Sequence, residues 1–261
     1  MGVLRILVCV KRVPAPGARI TLTADHQGID TKNLGFTTSP HEECAVEEAI
    51  RLVEMHGGSA TVLTAGAGEA DEQLRYALSV GINAAVHITH ATLAAGSDWD
   101  AQATARALTD AIATLEATDG TFDLVLFGNE SADAGGFQVG VRVARQLGRP
   151  IVNGIKGIAI ADGIVTAQRE SSSGFEVYQL ALPAVLGVKE GLNLPRYPTL
   201  PGRLKSKKVE VPVVVAEPQF GGLTTIALDN AAEVVVDTTM LGTGPEAAPA
   251  IVDLLEELGL L

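Results

Sequence analysis

The residues best suited to chemistry lie between Gly128 and Val139, where the chain reads GNESADAGGFQV. Asn129, Glu130, Ser131, Asp133 and Gln138 supply polar groups, and Ala132, Ala134, Gly135 and Gly136 are small enough for backbone N–H groups to approach a ligand. No lysine or arginine stands in this run. A phosphate bound here is therefore expected on the N–H groups near Gly135 to Phe137 and on the start of the helix that follows. The competing reading is a connector whose glycines serve turn geometry only, and the pattern leaves both open. Other constellations carry less. His26, His41, His56, His87 and His90 have no metal-ligand spacing, and a capping or surface role is the default for each. The G-x-S-x-G, Walker A and H-E-x-x-H runs are absent. Glu47 and Glu48 are adjacent on a predicted helix, point in different directions and read as solvated groups. Arg196 and the group Lys205, Lys207 and Lys208 are suited to phosphate or a partner's carboxylate, or to simple solvation.

These residues need elements to position them. Asp123 to Phe127 is a short apolar run whose length and Leu/Val/Phe content suit a strand buried on both faces. Val139, Val143, Ala144 and Leu147 recur at helical spacing, with Gly148 and Pro150 as stop signals. Upstream, strand and helix alternate: Leu4 to Val10 is a strand, Ser39-Pro40-His41-Glu42 a capping box that opens a helix ending at Gly57-Gly58, and Ala60 to Thr64 a strand. Asp71 to Val80 reads as a helix, Ala84 to Thr89 as a strand and Asp98 to Ala117 as a long helix. Residues 14–38, with Pro14, Pro16 and Gly17, read as a long loop. This alternation predicts an α/β fold with a doubly wound, mostly parallel sheet over residues 1–190.

After Pro150 the pattern changes. Gly157 to Ala161, Ile164 to Arg169, Glu176 to Leu182 and Ala184 to Lys189 are expected as antiparallel hairpins added to the sheet. Residues 191–208 carry Pro195, Pro198 and Pro201, which preclude regular structure throughout and point to an exposed segment. Residues 209–261 form an extended C-terminal arm with β-like runs at Val209 to Val215 and Glu233 to Val236 and an amphipathic helix at Ala248 to Leu258. Its apolar surface is expected to dock on a neighbour.

At 261 residues and 47% hydrophobic content the chain is long enough to bury a full core. No apolar run approaches the ~18 residues of a membrane span. The charge of −12 argues against nucleic-acid binding by the whole surface. Cys9 and Cys44, in a predicted strand and helix, fit buried thiols in a reducing compartment, hence the cytoplasm.

The chain resembles the β subunit of the electron transfer flavoprotein over nearly its whole length. The segments that carry the likeness are LRILVCVKRV, ECAVEEAIRLVE at 43–54, TAGAGEADEQLRYALSVGINAAVHI at 64–88 and DLVLFGNESADAGGFQVG at 123–140. QRESSSGFEVYQLALPAVLGV at 168–188 resembles the family's hairpin signature, and LNLPRYPTLPGRLKSKK at 192–208 its recognition segment. The resemblance implies an adenine nucleotide alpha hydrolase-like fold and a heterodimer with an α subunit that holds the redox FAD. The β subunit would bind AMP and pass single electrons from acyl-CoA or similar flavin dehydrogenases toward a quinone oxidoreductase, as a carrier and not an enzyme.

By the same resemblance Gly128 to Val139 is the AMP loop, and Cys9, Ser39, Pro40, His41, Glu42 and Gly66 match other adenine-nucleotide positions. Glu170 matches a glutamate that contacts the mobile flavin domain of the α subunit. Arg196, Tyr197, Leu200 and Lys205 fall in the partner-binding segment, with Leu200 at the position of the anchoring leucine. Departures are visible. The first loop, KRVPAPG, lacks the acidic residue and the aromatic that some members carry. Of the D-x-D-T-A-Q-V-G-like run of electron-bifurcating members, which hold a second FAD in place of AMP, only Asp133, Gln138, Val139 and Gly140 match. Bifurcation is one alternative. An adenine-nucleotide sensor or ATP-pyrophosphatase-like enzyme is another, although the S-G-G-x-D-S run of the latter is absent.

Overall fold

A computed structural model describes residues 3–89, 99–216, 222–223, 225–231 and 238–261. The chain divides into two compact units, Met1–Leu228 and Asp229–Leu261.

The first unit follows the predicted alternation. Strand β1 (Leu4–Cys9) leads through a two-residue antiparallel ladder, β2 (Val13–Pro14) with β3 (Phe36–Thr37), into helix α1 (Pro40–His56). There follow β4 (Gly58–Ala65), α2 (Asp71–Val80), β5 (Ala84–Thr89), α3 (Ala101–Asp119), β6 (Leu124–Gly128) and α4 (Val139–Leu147). Strands β7 (Ile151–Ala161), β8 (Ile164–Ser171), β9 (Gly174–Ala181) and β10 (Ala184–Val188) come next, then α5 (Leu200–Ser206) and β11 (Val213–Val215). The sheet order is β11-β5-β4-β1-β6-β10-β7-β8-β9. All pairs from β11 to the β10–β7 contact are parallel, and β7, β8 and β9 pair antiparallel.

Side-chain alternation along β1 explains the layering. Ile6 and Val8 face one side, where they pack with Ala45 and Ala49 of α1 and Leu74 of α2. Leu7 and Cys9 face the other, against Leu108 and Ile112 of α3 and Val143 of α4. Both faces are thus buried, as parallel sheets require. Complete burial of a leucine such as Leu7 contributes roughly 1.5–3 kcal/mol, and strand–helix contacts of this kind supply most of the core.

The expected hairpins are corrected at one strand. Ala184 to Val188 is not a hairpin arm but a central strand lying parallel between β6 and β7. Its five residues are all buried, and a continuous apolar run without polar alternation is the signature of that position. The capping box of α1 is present. Ser39 Oγ accepts from the Glu42 N–H at 3.3 Å and the Glu42 carboxylate accepts from the Ser39 N–H at 3.0 Å. The long helix starts at Ala101, with Asp100 as N-cap accepting from the Ala103 N–H at 2.8 Å. Its expected first residue, Asp98, lies outside the described residues, as do His90 and the run Glu233 to Val236. Within Val209 to Val215 only β11 is regular, and it extends the sheet beside β5. In the second unit α6 (Ala248–Glu257) exposes Ile251, Val252 and Leu254. Among the described residues no helix is long and apolar enough to cross a membrane.

Candidate functional site

From β1 the chain proceeds outward to β4 and β5, then returns to place β6 on the opposite side of β1. That reversal opens a crevice at the carboxyl ends of β1 and β6, the place where doubly wound sheets bind ligands. A cavity of about 180 Å³ occupies it. Cys9, Glu42, Gly66, Gly128, Asn129, Glu130, Ser131, Ala134, Gly136, Phe137, Gln138 and Val139 line it, so residues far apart in sequence converge. Ser39, Pro40, His41, Ala132, Asp133 and Gly135 do not line the cavity. Most of these brace its walls.

The walls are built by close approach and hydrogen bonding. At Gly128 a Cβ would stand 2.7 Å from Glu42 Cγ, so only glycine lets β6 end against the first turn of α1. His41 Nδ1 accepts from the Glu190 N–H at 2.8 Å, and its other ring nitrogen lies 3.5 Å from Glu130. The Gly135 N–H donates to the Ser131 carbonyl at 3.0 Å and is not available to a ligand. Gly135 and Phe137 both take positive φ, near 54°. For a residue with a Cβ this conformation is uncommon and carries strain. The N-cap of α4, Gln138, makes no side-chain cap; its amide oxygen instead accepts from Arg142. Val139, Gly140 and Val141 at the start of α4 line the cavity, and the first N–H groups of a helix have no intrahelical partner.

The titratable groups at this crevice are tied down. Lys11, which sequence spacing did not single out, lines the cavity and pairs with Asp133 at 2.7 Å. Burial raises the Asp133 carboxyl, but the Lys11 ammonium and hydrogen bonds from Lys11, Ser131 and Ala134 outweigh it and hold the group below its ordinary range. Burial pushes Glu42 up to about 8, against hydrogen bonds from the Ser39 and Lys11 N–H groups that favour its charged form. The Cys9 thiol is raised by burial and by the neighbouring Glu42, so it serves as an inert wall and not a nucleophile. Among the described residues no cluster of three His, Cys, Asp or Glu could hold a metal ion. His87, expected at the surface, is buried in β5 with a ring nitrogen 3.1 Å from the Gly66 carbonyl.

A second surface lies at residues 193–206. Leu194, Tyr197 and Leu200 are 91%, 89% and 71% exposed, and Lys205 is exposed as well. Thr199 caps α5 by accepting from the Gly202 N–H at 3.1 Å. Arg196 is engaged by Glu47 and Glu54, so it is tied within its own chain. Glu47 and Glu48, read from the sequence as solvated, are buried, because this segment lies over them. On β8, Glu170 pairs with Lys156 at 2.6 Å.

Two comparisons bear on this geometry. The electron transfer flavoprotein domain family matches residues 28–219, which contain the crevice loop and the exposed segment. A protein of Mycobacterium bovis named electron transfer flavoprotein subunit beta is 34% identical over 243 residues, 90% of this chain and 87% of its own length. The chain belongs to the electron transfer flavoprotein β-subunit family. Proteins of the same name from Syntrophomonas wolfei and Bacillus subtilis are 35% and 36% identical, over 82% and 65% of this chain and 80% and 63% of their own lengths. Within this family fold, Lys11, Trp99, Thr104, Phe127 and Asn153 also line the cavity and escaped sequence reasoning. Only Lys11 had a sequence signal, its place one residue past the apolar run of β1 and its extension at Val10.

Proposed function

We propose that the chain is the β subunit of a heterodimeric electron carrier, holding one AMP in the crevice while a partner α subunit holds FAD. The observation that carries this reading is the cavity at the β1–β6 switch point, lined by the start of α4, which has no side-chain cap. Because Lys11 is already paired with Asp133, the phosphate would be bound by backbone N–H groups from Gly136 onward, and the adenine would lie against the apolar wall of Ala65 and Leu108. The Glu130 carboxylate, which lines the cavity, disfavours a ligand with more phosphate charge. Four residues meet the bifurcating pattern, Asp133 and the run Gln138-Val139-Gly140, and they keep a second FAD as the competing occupant.

In this reading the carrier accepts single electrons from acyl-CoA or similar flavin dehydrogenases and delivers them toward a quinone oxidoreductase. FAD supplies the redox chemistry. This chain supplies surface: Leu200 and Tyr197 meet the dehydrogenase, Lys205 offers charge to it, Glu170 biases the α subunit's flavin domain, and the arm from 209 onward docks on the α subunit. Denaturing the purified complex and quantifying the released nucleotides tests the occupant. One AMP and one FAD per heterodimer is expected. Two FAD and no AMP would replace this reading with bifurcation, and a stable colourless chain without a partner would favour an adenine-nucleotide sensor.

A further inference from the structure

Arg196 is bound by two carboxylates on one face of α1. Its backbone N–H and Nε donate to Glu47 Oε2 at 3.1 and 2.9 Å, and Nη2 donates to Glu47 Oε1 at 3.0 Å. Nη1 and Nη2 donate to the two oxygens of Glu54 at 2.7 and 3.0 Å. Glu47 and Glu54 stand two helical turns apart, so they share a face, and a planar guanidinium fits both as paired forks. Each nitrogen of the guanidinium is used. These bonds use four of its five N–H donors and leave one on Nη1, so most of the fork is committed within the chain.

The rest of the segment is pinned in the same manner. Asn193 Nδ2 donates to the Cys44 carbonyl at 3.0 Å and to Glu48 Oε2 at 2.9 Å. At the far end Arg75 of α2 donates to the carbonyls of Ser206 and Val209 at 2.7 and 2.6 Å. Gly202 lies so near the Ser79 carbonyl that a Cβ would come within 2.2 Å of it. Asn193 and Arg196 thus turn inward onto α1, while Leu194, Tyr197, Leu200 and Lys205 are left in solvent. An exposed apolar ridge normally collapses or samples many poses; this one is stiffened by Pro195, Pro198 and Pro201 and fixed from beneath.

We propose that the Glu47–Arg196–Glu54 clamp is a positioning device for docking: it fixes the Leu194 to Leu204 ridge in the pose that a dehydrogenase recognises, and Arg196 acts through that ridge without touching the partner. The proposal rests on reading the ridge as the dehydrogenase-docking surface. Its chemistry predicts that partner affinity depends on α1 side chains that the partner never meets.

The test uses the intact heterodimer carrying Glu47→Gln and Glu54→Gln together, beside Arg196→Lys and Leu200→Ala. Backbone amide exchange over residues 194–204 is expected to quicken by about tenfold or more in the double variant, while exchange in β6 and α4 stays as in the wild type. With a purified acyl-CoA dehydrogenase that the wild-type complex oxidises, the KM for the complex should rise about fivefold and kcat change by less than about twofold. Arg196→Lys keeps the charge but not the two forks, so it should fall between wild type and the double variant. Unchanged exchange in the double variant overturns the clamp. Faster exchange with an unchanged KM, while Leu200→Ala raises it, overturns the positioning role and leaves docking intact. An unchanged KM for Leu200→Ala overturns the docking reading, and the positioning role falls with it.

Discussion

The cavity at the ends of β1 and β6 is made of backbone and small side chains gathered from several strand ends and helix starts. The ridge at 193–206 is one continuous stretch held down by long charged side chains of α1 and α2. Both depend on α1: its first turn, through Glu42, walls the cavity, and its later turns, through Glu47 and Glu54, hold the ridge. The difference lies in what each tolerates. A wall built by close backbone approach fails when a few atoms are added, because the interior has no room to yield. A ridge built on ion pairs and prolines fails by losing its pose while the core stays folded. Variants that strike one region and spare the other therefore measure how far the two are independent.

The largest effect is expected at Gly128. Placing valine there drives a branched side chain into Glu42 and into His41, whose Cβ would already be 3.3 Å from an added Cβ. Overpacking of this kind costs about 1–3 kcal/mol, and here it must shift the first turn of α1. Gly128→Val should lower the melting temperature and abolish binding of the nucleotide proposed for the cavity. Amide exchange at the ridge would show whether the shift travels along α1. If ridge exchange rises as much as exchange at the cavity, the two regions form one unit and are not independent.

Leu200→Ala probes the other side. Leu200 is 71% exposed, so truncating it removes no core contact and should leave the stability within about 0.5 kcal/mol of wild type. If the leucine enters an apolar pocket on a dehydrogenase, roughly 1.5–3 kcal/mol of binding is lost, a fall in affinity of about tenfold to a hundredfold. Titration of the complex with an acyl-CoA dehydrogenase measures it. A large loss of stability with normal affinity would place Leu200 in the fold and not in docking.

How much of this was readable beforehand follows the same division. The alternating strands and helices, the capping box at Ser39 to Glu42 and the crevice loop after β6 were legible, because each is written in local periodicity or in residues a few positions apart. The central place of β10 was not. Its apolar run has no alternation, and its two neighbours, β6 and β7, are chosen by tertiary packing alone. The proline-rich segment was legible as exposed, but its pins were not. Glu47, Glu48 and Glu54 look like ordinary helix-surface acids until Asn193 and Arg196, nearly 150 residues away, are laid over them. Lys11 was missed for the same reason: its partner, Asp133, comes from another loop.

A pH series sharpens the cavity side. Burial raises Glu42 from 4.5 to about 8, so between those values the folded chain keeps a proton that the unfolded chain has lost. The unfolded state then binds fewer protons than the native one, and stability falls as pH rises. The contribution of this group is fully present below about pH 4.5 and is lost by about pH 8. Glu42→Gln cannot titrate, and its melting temperature should lose that part of the slope across the window, whatever constant penalty the amide brings. Identical slopes in variant and wild type would mean that the Ser39 and Lys11 N–H groups keep Glu42 charged in the folded protein.

The smallest effect on stability is expected at Glu170, which belongs to neither region and serves as their control. Its ion pair with Lys156 spans β7 and β8, and its side chain is 47% exposed. An exposed pair of this kind contributes at most ~1 kcal/mol, so Glu170→Ala should scarcely move the melting curve. Nucleotide content and ridge exchange should also match wild type, because neither Lys156 nor Glu170 lines the cavity and the Glu170 carboxylate is paired across β7 and β8. If the carboxylate also meets the α subunit's flavin domain, removing it changes the share of time the domain spends in a given orientation and hence the electron-transfer rates to partner proteins. Stopped-flow reduction of the complex by two different dehydrogenases separates the cases. Rates altered with both, at constant affinity, place the effect in domain orientation. Rates unchanged with both reduce Glu170 to a strand-surface carboxylate and leave the cavity and the ridge as the functional surfaces of the first unit.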